Sequence, residues 1–489
     1  MLIRTIPSIL LAAVLAAPLA AQDPFTAPAV GNALDALAAD PMGGRLVGTP
    51  GARSAAEYVA GRLRALGLAP AGDSGGYLQR IPLERRGISD SSTLLLTSGD
   101  HTATLRWGRT FGEEWGRPAP ATTYDAVWGD LYTKDGIDST FKAAAGKFLV
   151  IIVPDRAGLI VQGFPATGRP AGIIALFASP RFHARALRLT RPPAVRIAGS
   201  VDGVSPPLVL IADRDSIAAL FGSMTQGPAG TPAPFRVTPQ LLDSVTPVDG
   251  WNVLATRAGD DPQRKGEYVM VTSQYDHVGR ANDPAGSCRA VGADSVCNGA
   301  GAASGAVAEL LLAERAAAAP PPHRSMLFAW LGAEEPGSLG LRWLLAHPPV
   351  PIDSIVANIG LGPVGRGARD SLEESGIREY APDLLRVVDS VARAEPRPFT
   401  LVGRFEHLDD PQRRYCRTPA AGFAVSGIPS ITFSGGPYAE FRRADDSVAM
   451  VDANKVARVG RLAYGIGMAL GNGRSRPAVD SMLSRSLCR

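Results

Sequence analysis

Along the second half of the chain, short continuous apolar runs alternate with segments whose apolar residues recur every third or fourth position. The runs WNVLATRAG, EYVMVTSQ, SMLFAWLG, SIVANIGL and SITFSG read as strands, and the segments Ala303–Ala317, Ser338–Leu345, Pro382–Ala394 and Ala453–Leu470 as helices. This alternation predicts an α/β fold, a three-layer α/β/α sandwich whose mostly parallel central sheet is covered by helices on both faces. A site is expected at the carboxyl ends of such strands. Nearer the start, Ala56, Val59, Ala60, Leu63 and Leu66 share one helical face, and Gly67 ends that helix. From Thr122 to Pro247 the texture changes. There KFLVIIVP, AGIIALFA and PLVLIAD alternate with Gly- and Pro-rich turns, and a short helix, DSIAALFGS, follows the last run. These residues predict a smaller, β-rich unit set inside the α/β domain.

Length fits that division, since 489 residues exceed one ordinary core. Hydrophobic residues at 45% and charged residues at 20% describe a globular chain with a large core. A net charge of +4 without a Lys/Arg run leaves no footprint for nucleic acid. The start, MLIRTIPSILLAAVLAAPLAAQ, sets one Arg before an apolar stretch from Ile6 to Ala17 and small residues before Gln22. That is the pattern of a secretory signal cleaved near Ala21, so residues 1–21 are expected to be removed and the chain secreted or periplasmic. Pro18 and the short apolar core argue against a membrane anchor. The division then runs 22–121 and 248–472 for the α/β domain, 122–247 for the insertion, and 473–489 for a disordered tail. Cys288, Cys297, Cys416 and Cys488 permit two disulfides in an exported chain, and Cys288 and Cys297, flanking a short loop, are the favoured pair.

Five stretches carry the chemistry: EYVMVTSQYDHVGR from Glu267, then GADSVCNGAGAASG, LFAWLGAEEPGSLGLRWL, VANIGLGPVGR and GIPSITFSGGPYAEFRRADD. In order and spacing they resemble the co-catalytic di-zinc aminopeptidases, metallopeptidase family twenty-eight, which also include glutamate carboxypeptidase and the transferrin receptor. GGRLVGTPGARSAAEYVAGRLRALGLAP resembles the family's first helix, and the 122–247 texture resembles the protease-associated insertion some relatives carry.

The resemblance implies two zinc ions that activate a bridging water, held by five ligands that are mainly His and carboxylates. Carried over position by position, most of those ligands are missing. The His of the H-x-D motif falls on Gln274, while its orienting Asp is kept as Asp276. His277 follows, and continued strand alternation would point it away from the site. The bridging Asp falls on Gly301, the Asp of N-x-D-M-x-G on Gly362, and the last His on Arg442. The Glu pair survives as Glu334, the family's general base, and Glu335, a zinc ligand. Arg442 is therefore expected to form an ion pair with Glu335 or Glu334 where zinc once balanced the charge.

Other chemistry is weakly marked. Ser304 lacks a G-x-S-x-G elbow, and His407, Asp409 and Asp410 cluster in FEHLDD. RTPAAGF from Arg417 departs from the family's Asp-His pair on the substrate side. These readings imply an exported family member without a metal cofactor, a pseudo-peptidase that binds a peptide or protein. The alternatives are a weakly active metallo-aminopeptidase with Glu334 as base, and a structural subunit for an active paralogue.

Overall fold

The computed structural model describes residues 23–488 except 116–120, 156–168, 184–193, 201–207, 223–224, 284–285, 377, 404–413, 481 and 484–487. The proposed signal segment and the FEHLDD cluster lie outside the described residues.

A ten-stranded sheet forms the centre of the molecule. Its middle four strands, Ser430–Ser434, Ile355–Leu361, Tyr268–Gln274 and Ser325–Leu331, run parallel. Three of these four are apolar through most of their length, as strands covered on both faces must be. Antiparallel strands extend the sheet at both ends, with Asp243–Arg257, Leu78–Ile88 and Ala194–Ile197 on one side.

On one face pack Ala27–Leu37, Pro50–Ala65, Ala300–Ala318, Pro382–Ala394 and Ala453–Asn472, around the main core. Leu339–Ala346 and Pro419–Val425 cover the other face through Leu341, Leu344 and Phe423. This is the expected three-layer α/β/α sandwich. Ala300–Ala318 lies between the sheet and the helices Ala27–Leu37 and Ala453–Asn472, and it is buried on nearly every side. Its Ala and Gly content allows that close approach: a Cβ on Gly305 would meet the Gly362 carbonyl oxygen, so that turn sits directly on the end of the neighbouring strand.

A second body has its own core and two sheets. One sheet orders Phe111–Trp115, Leu208–Asp213, Gly172–Phe177, Phe148–Ile152 and Ala126–Trp128; the other orders Arg236–Gln240, Thr93–Ser98 and His101–Arg106. Strands before residue 122 thus pair with strands after it, and the expected boundary at 122 is corrected. The body occupies 89–242, because Leu78–Ile88 and Asp243–Arg257 form one antiparallel stem in which Ile88 pairs with Asp243 and Leu78 with Val253. The run LLLTSGDHTATLRW, a hairpin turning at Gly99 with φ 55°, carried the signal for the earlier boundary.

Two disulfides are present, Cys288–Cys297 and Cys416–Cys488. The second ties down the segment expected to be disordered. Arg476 Nη2 donates to the Asp353 carbonyl at 2.6 Å, the Asp480 N–H to the Tyr380 carbonyl at 3.0 Å, and Val479 and Leu483 pack against the main core. Among the described residues no helix is long and apolar enough to cross a membrane.

Candidate functional site

Glu334 and Glu335 follow the buried Ser325–Leu331 strand in a tight loop between Ala333 (φ 56°) and Ser338 (φ 52°). The neighbouring strand holds this loop. Asn252 Oδ1 accepts from the Gly332 N–H at 3.1 Å, and its Nδ2 donates to the Gly340 carbonyl at 3.0 Å. Of the five described non-glycine residues at positive φ, four (Arg45, Ala333, Ser338 and Arg442) bear on this site, the usual place for such conformations.

Glu334 is buried and accepts from the Leu341 N–H at 2.8 Å. Burial raises its pKa to about 7 against the lowering effect of that bond and one from Ser338, and the Glu335 charge adds to the rise. Asp276 is buried as well, and its Oδ2 accepts from the Glu335 N–H at 3.2 Å. Burial first, then Glu335 and Glu334, push its pKa well up.

Glu335 carries the charge of the group. Burial works to raise its pKa, but His277 and Arg442 outweigh burial and hold it below the ordinary value. His277 Nδ1 lies 3.1 Å from one carboxylate oxygen, and Arg442 Nη2 donates to the other at 2.5 Å. The ion pair that the sequence implied for Arg442 is therefore formed with Glu335. The expectation for His277 is corrected: it is fully buried against Glu335. The strand ends at Gln274, so alternation no longer governs where a residue three places on is directed.

The structure joins Asp276, Glu334, Glu335 and Arg442 in one group. Gln274, half-buried, closes its strand opposite Leu331. Gly362 follows the Ile355–Leu361 strand, and its N–H donates to the Phe433 carbonyl at 2.9 Å. Counted strictly from Asn358, the N-x-D spacing falls on Gly360 instead, where a Cβ would meet Thr432 Oγ1 at 2.6 Å. Both positions are glycine, so neither provides a carboxylate.

Gly301, near the start of Ala300–Ala318, belongs to an adjoining cluster. Its N–H donates to both oxygens of the buried Asp446, at 3.1 and 3.2 Å. Arg366 pairs with Asp446, and the Tyr438 hydroxyl donates to it at 3.1 Å. A Cβ on Gly301 would meet Arg366 Nε at 2.9 Å, Tyr438 Oη at 3.0 Å and Asp446 Oδ1 at 3.1 Å. The space above Gly301 is occupied.

Arg45 lies beneath both groups, fully buried. Its side chain donates to the carbonyls of Tyr275, Leu37, Asn298 and Gly299 at 2.6–3.2 Å. Burial lowers its pKa to about 10, and Asp276, Asp446 and Glu335 oppose that fall. Sequence reasoning missed Arg45, Arg366, Tyr438 and Asp446, although each lies within a quoted motif. Ser304 is structural: its hydroxyl donates to the Gly301 carbonyl and accepts from the Val364 and Gly365 N–H groups. Among the described residues, no three His, Cys, Asp or Glu side chains are grouped so as to hold a metal ion.

Residues 252–466 match the family model described as peptidase family M28. Among solved structures, the chain is similar to an aminopeptidase from Aneurinibacillus sp. strain AM-1, at 16% identity and a TM-score of 0.55 over 93% of this chain and 96% of that one. It is also similar to a zinc aminopeptidase from Bacillus subtilis, at 16% identity and a TM-score of 0.53 over 94% and 99%. At such identities the likeness shows the fold. No curated protein matches in sequence.

Proposed function

We propose that this chain, whose residues 252–466 match the model of peptidase family M28, is an exported, non-catalytic member of that family which binds a peptide or protein in the cleft at its strand ends. One observation carries the reading: Glu335, the position where the family binds zinc, is bonded on one oxygen by Arg442 and on the other by His277. A guanidinium already bonded to the carboxylate opposes a divalent cation at the same place. The two zinc ions that the family implies do not fit these residues. Gly301 and Gly362 have no side chain to ligate a metal, and the space above Gly301 is filled by Tyr438, Arg366 and Asp446.

The test is elemental analysis of the purified chain after equilibration with excess zinc, beside a Glu335→Ala variant and an assay on aminoacyl amides. Zinc well below one per chain in both, with no turnover, is expected. One or two zinc ions per chain, lost in Glu335→Ala and accompanied by release of N-terminal residues, would establish the weakly active aminopeptidase instead.

A further inference from the structure

We propose that Arg442 is the recognition group of this cleft and that it takes a carboxylate of the bound peptide. The inference rests on the peptide-binding reading above and adds the chemistry that selects the ligand. In the Arg442–Glu335 pair the carboxylate is the inner partner. The Glu335 side chain is 9% exposed with His277 fully buried beside it, whereas the Arg442 side chain is 36% exposed. A ligand approaching this pair meets a guanidinium first. Of the guanidinium's donors, Nη2 is bonded to Glu335 and Nε is buried, which leaves Nη1 and the outer edge of Nη2 for a ligand oxygen.

The neighbouring carboxylates are engaged elsewhere. Asp445 takes both forks of Arg443, Asp446 takes Arg366 and Tyr438, and Glu440 lies 3.8 Å from Arg366. Arg442 is also held in place. Its φ is 59°, its guanidinium lies 5.2 Å from the centre of the Phe441 ring, and its carbonyl accepts from the Arg289 N–H at 2.9 Å. The Ala444 N–H returns a bond to the Arg289 carbonyl at 3.0 Å, and Arg289 Nη2 donates to the Phe441 carbonyl at 2.6 Å. Arg289 is itself next to Cys288 in the loop closed by the Cys288–Cys297 disulfide. A cation fixed in this way loses little freedom on binding an anion, so more of the interaction appears as affinity. The half-exposed Phe441 ring provides an apolar wall beside it.

The carboxylate has two sources in a peptide, the C-terminus and an acidic side chain. Calorimetric titration separates them with the hexapeptide AAAAAF in its free form, N-acetylated, C-amidated and blocked at both ends, and with blocked AAAEAF. Binding of the free-acid forms that falls at least about tenfold on amidation identifies the C-terminus. Binding of blocked AAAEAF over blocked AAAAAF identifies the side chain. In either case Arg442→Gln abolishes the preference, and Arg442→Lys restores part of it. Arg442→Gln leaves Glu335 short of a partner, so Arg442→Gln/Glu335→Gln, which removes both charges, is titrated alongside and should show the same loss.

Equal binding of free-acid and amidated forms, or a preference that persists without Arg442, overturns the proposal and leaves peptide binding intact. Loss of binding on N-acetylation alone also overturns it, since the cleft would then select an amine. If no peptide binds, both the peptide reading and this proposal fall.

Discussion

Glu334 sets the clearest expectation for a single residue. Its folded pKa of about 7 lies above the unfolded value of 4.5, so the folded state holds a proton that the unfolded state releases. Stability from this group is full below 4.5 and lost as pH rises through 7, by about 3 kcal/mol at most. Asp276, raised for the same reason, acts in the same direction. Glu335 acts oppositely: held below its ordinary value, it supports the fold above the unfolded pKa and weakens it in acid. Urea denaturation at pH 5 and pH 8 should show Glu334→Gln gaining stability relative to the native chain at the higher pH. An unchanged difference between the two pH values would mean that Glu334 is solvated. Much of this was legible, because Glu334, Glu335, Asp276 and Arg442 fall at motif positions and chemistry dictates that opposite charges there meet. His277 was not, since its direction depends on where a strand stops. Arg45 could not be inferred either: its acceptors Tyr275 and Asn298 lie 230 and 253 residues away.

Between the elements, the first turns of Ala300–Ala318 pack closely against the strand ends. Gly301→Ala should cost about 1–3 kcal/mol, because its Cβ enters a space already held by Arg366, Tyr438 and Asp446. Gly301→Asp, which restores the family's carboxylate, should cost more and still take up no zinc. Denaturation midpoints and metal content read the two variants. A stable Gly301→Asp chain that binds zinc would show that this cluster yields easily. The helices and buried strands were legible because their periods are long and regular. The 89–242 boundary was obscured because Thr93–Ser98 and His101–Arg106 are short, and their sheet partner, Arg236–Gln240, lies far along the chain.

For the whole molecule, the pairing of Ile88 with Asp243 means that the second body leaves and returns through adjacent positions of one stem. Replacing 89–242 by Asn-Gly, the preferred two-residue turn, should give a chain that folds and keeps the Arg442–Glu335 pair. It should be less stable than the parent, since Ala194–Ile197 no longer covers Leu78–Ile88 and that edge is bared. Thermal melting and circular dichroism read the outcome. A chain without a cooperative transition would show that the two bodies depend on each other.

The burial of Ala300–Ala318 on nearly every side also bears on the order of assembly. A helix with no polar face gains little from forming alone in water, and most of its stability comes from its neighbours. Two of those neighbours are Ala27–Leu37 and Ala453–Asn472, at opposite ends of the described chain. The central helix therefore cannot settle until nearly the whole chain has been synthesised, and contacts of such long sequence separation form slowly. Until then an apolar segment stays open to solvent, and for that interval the chain depends on whatever keeps such segments apart.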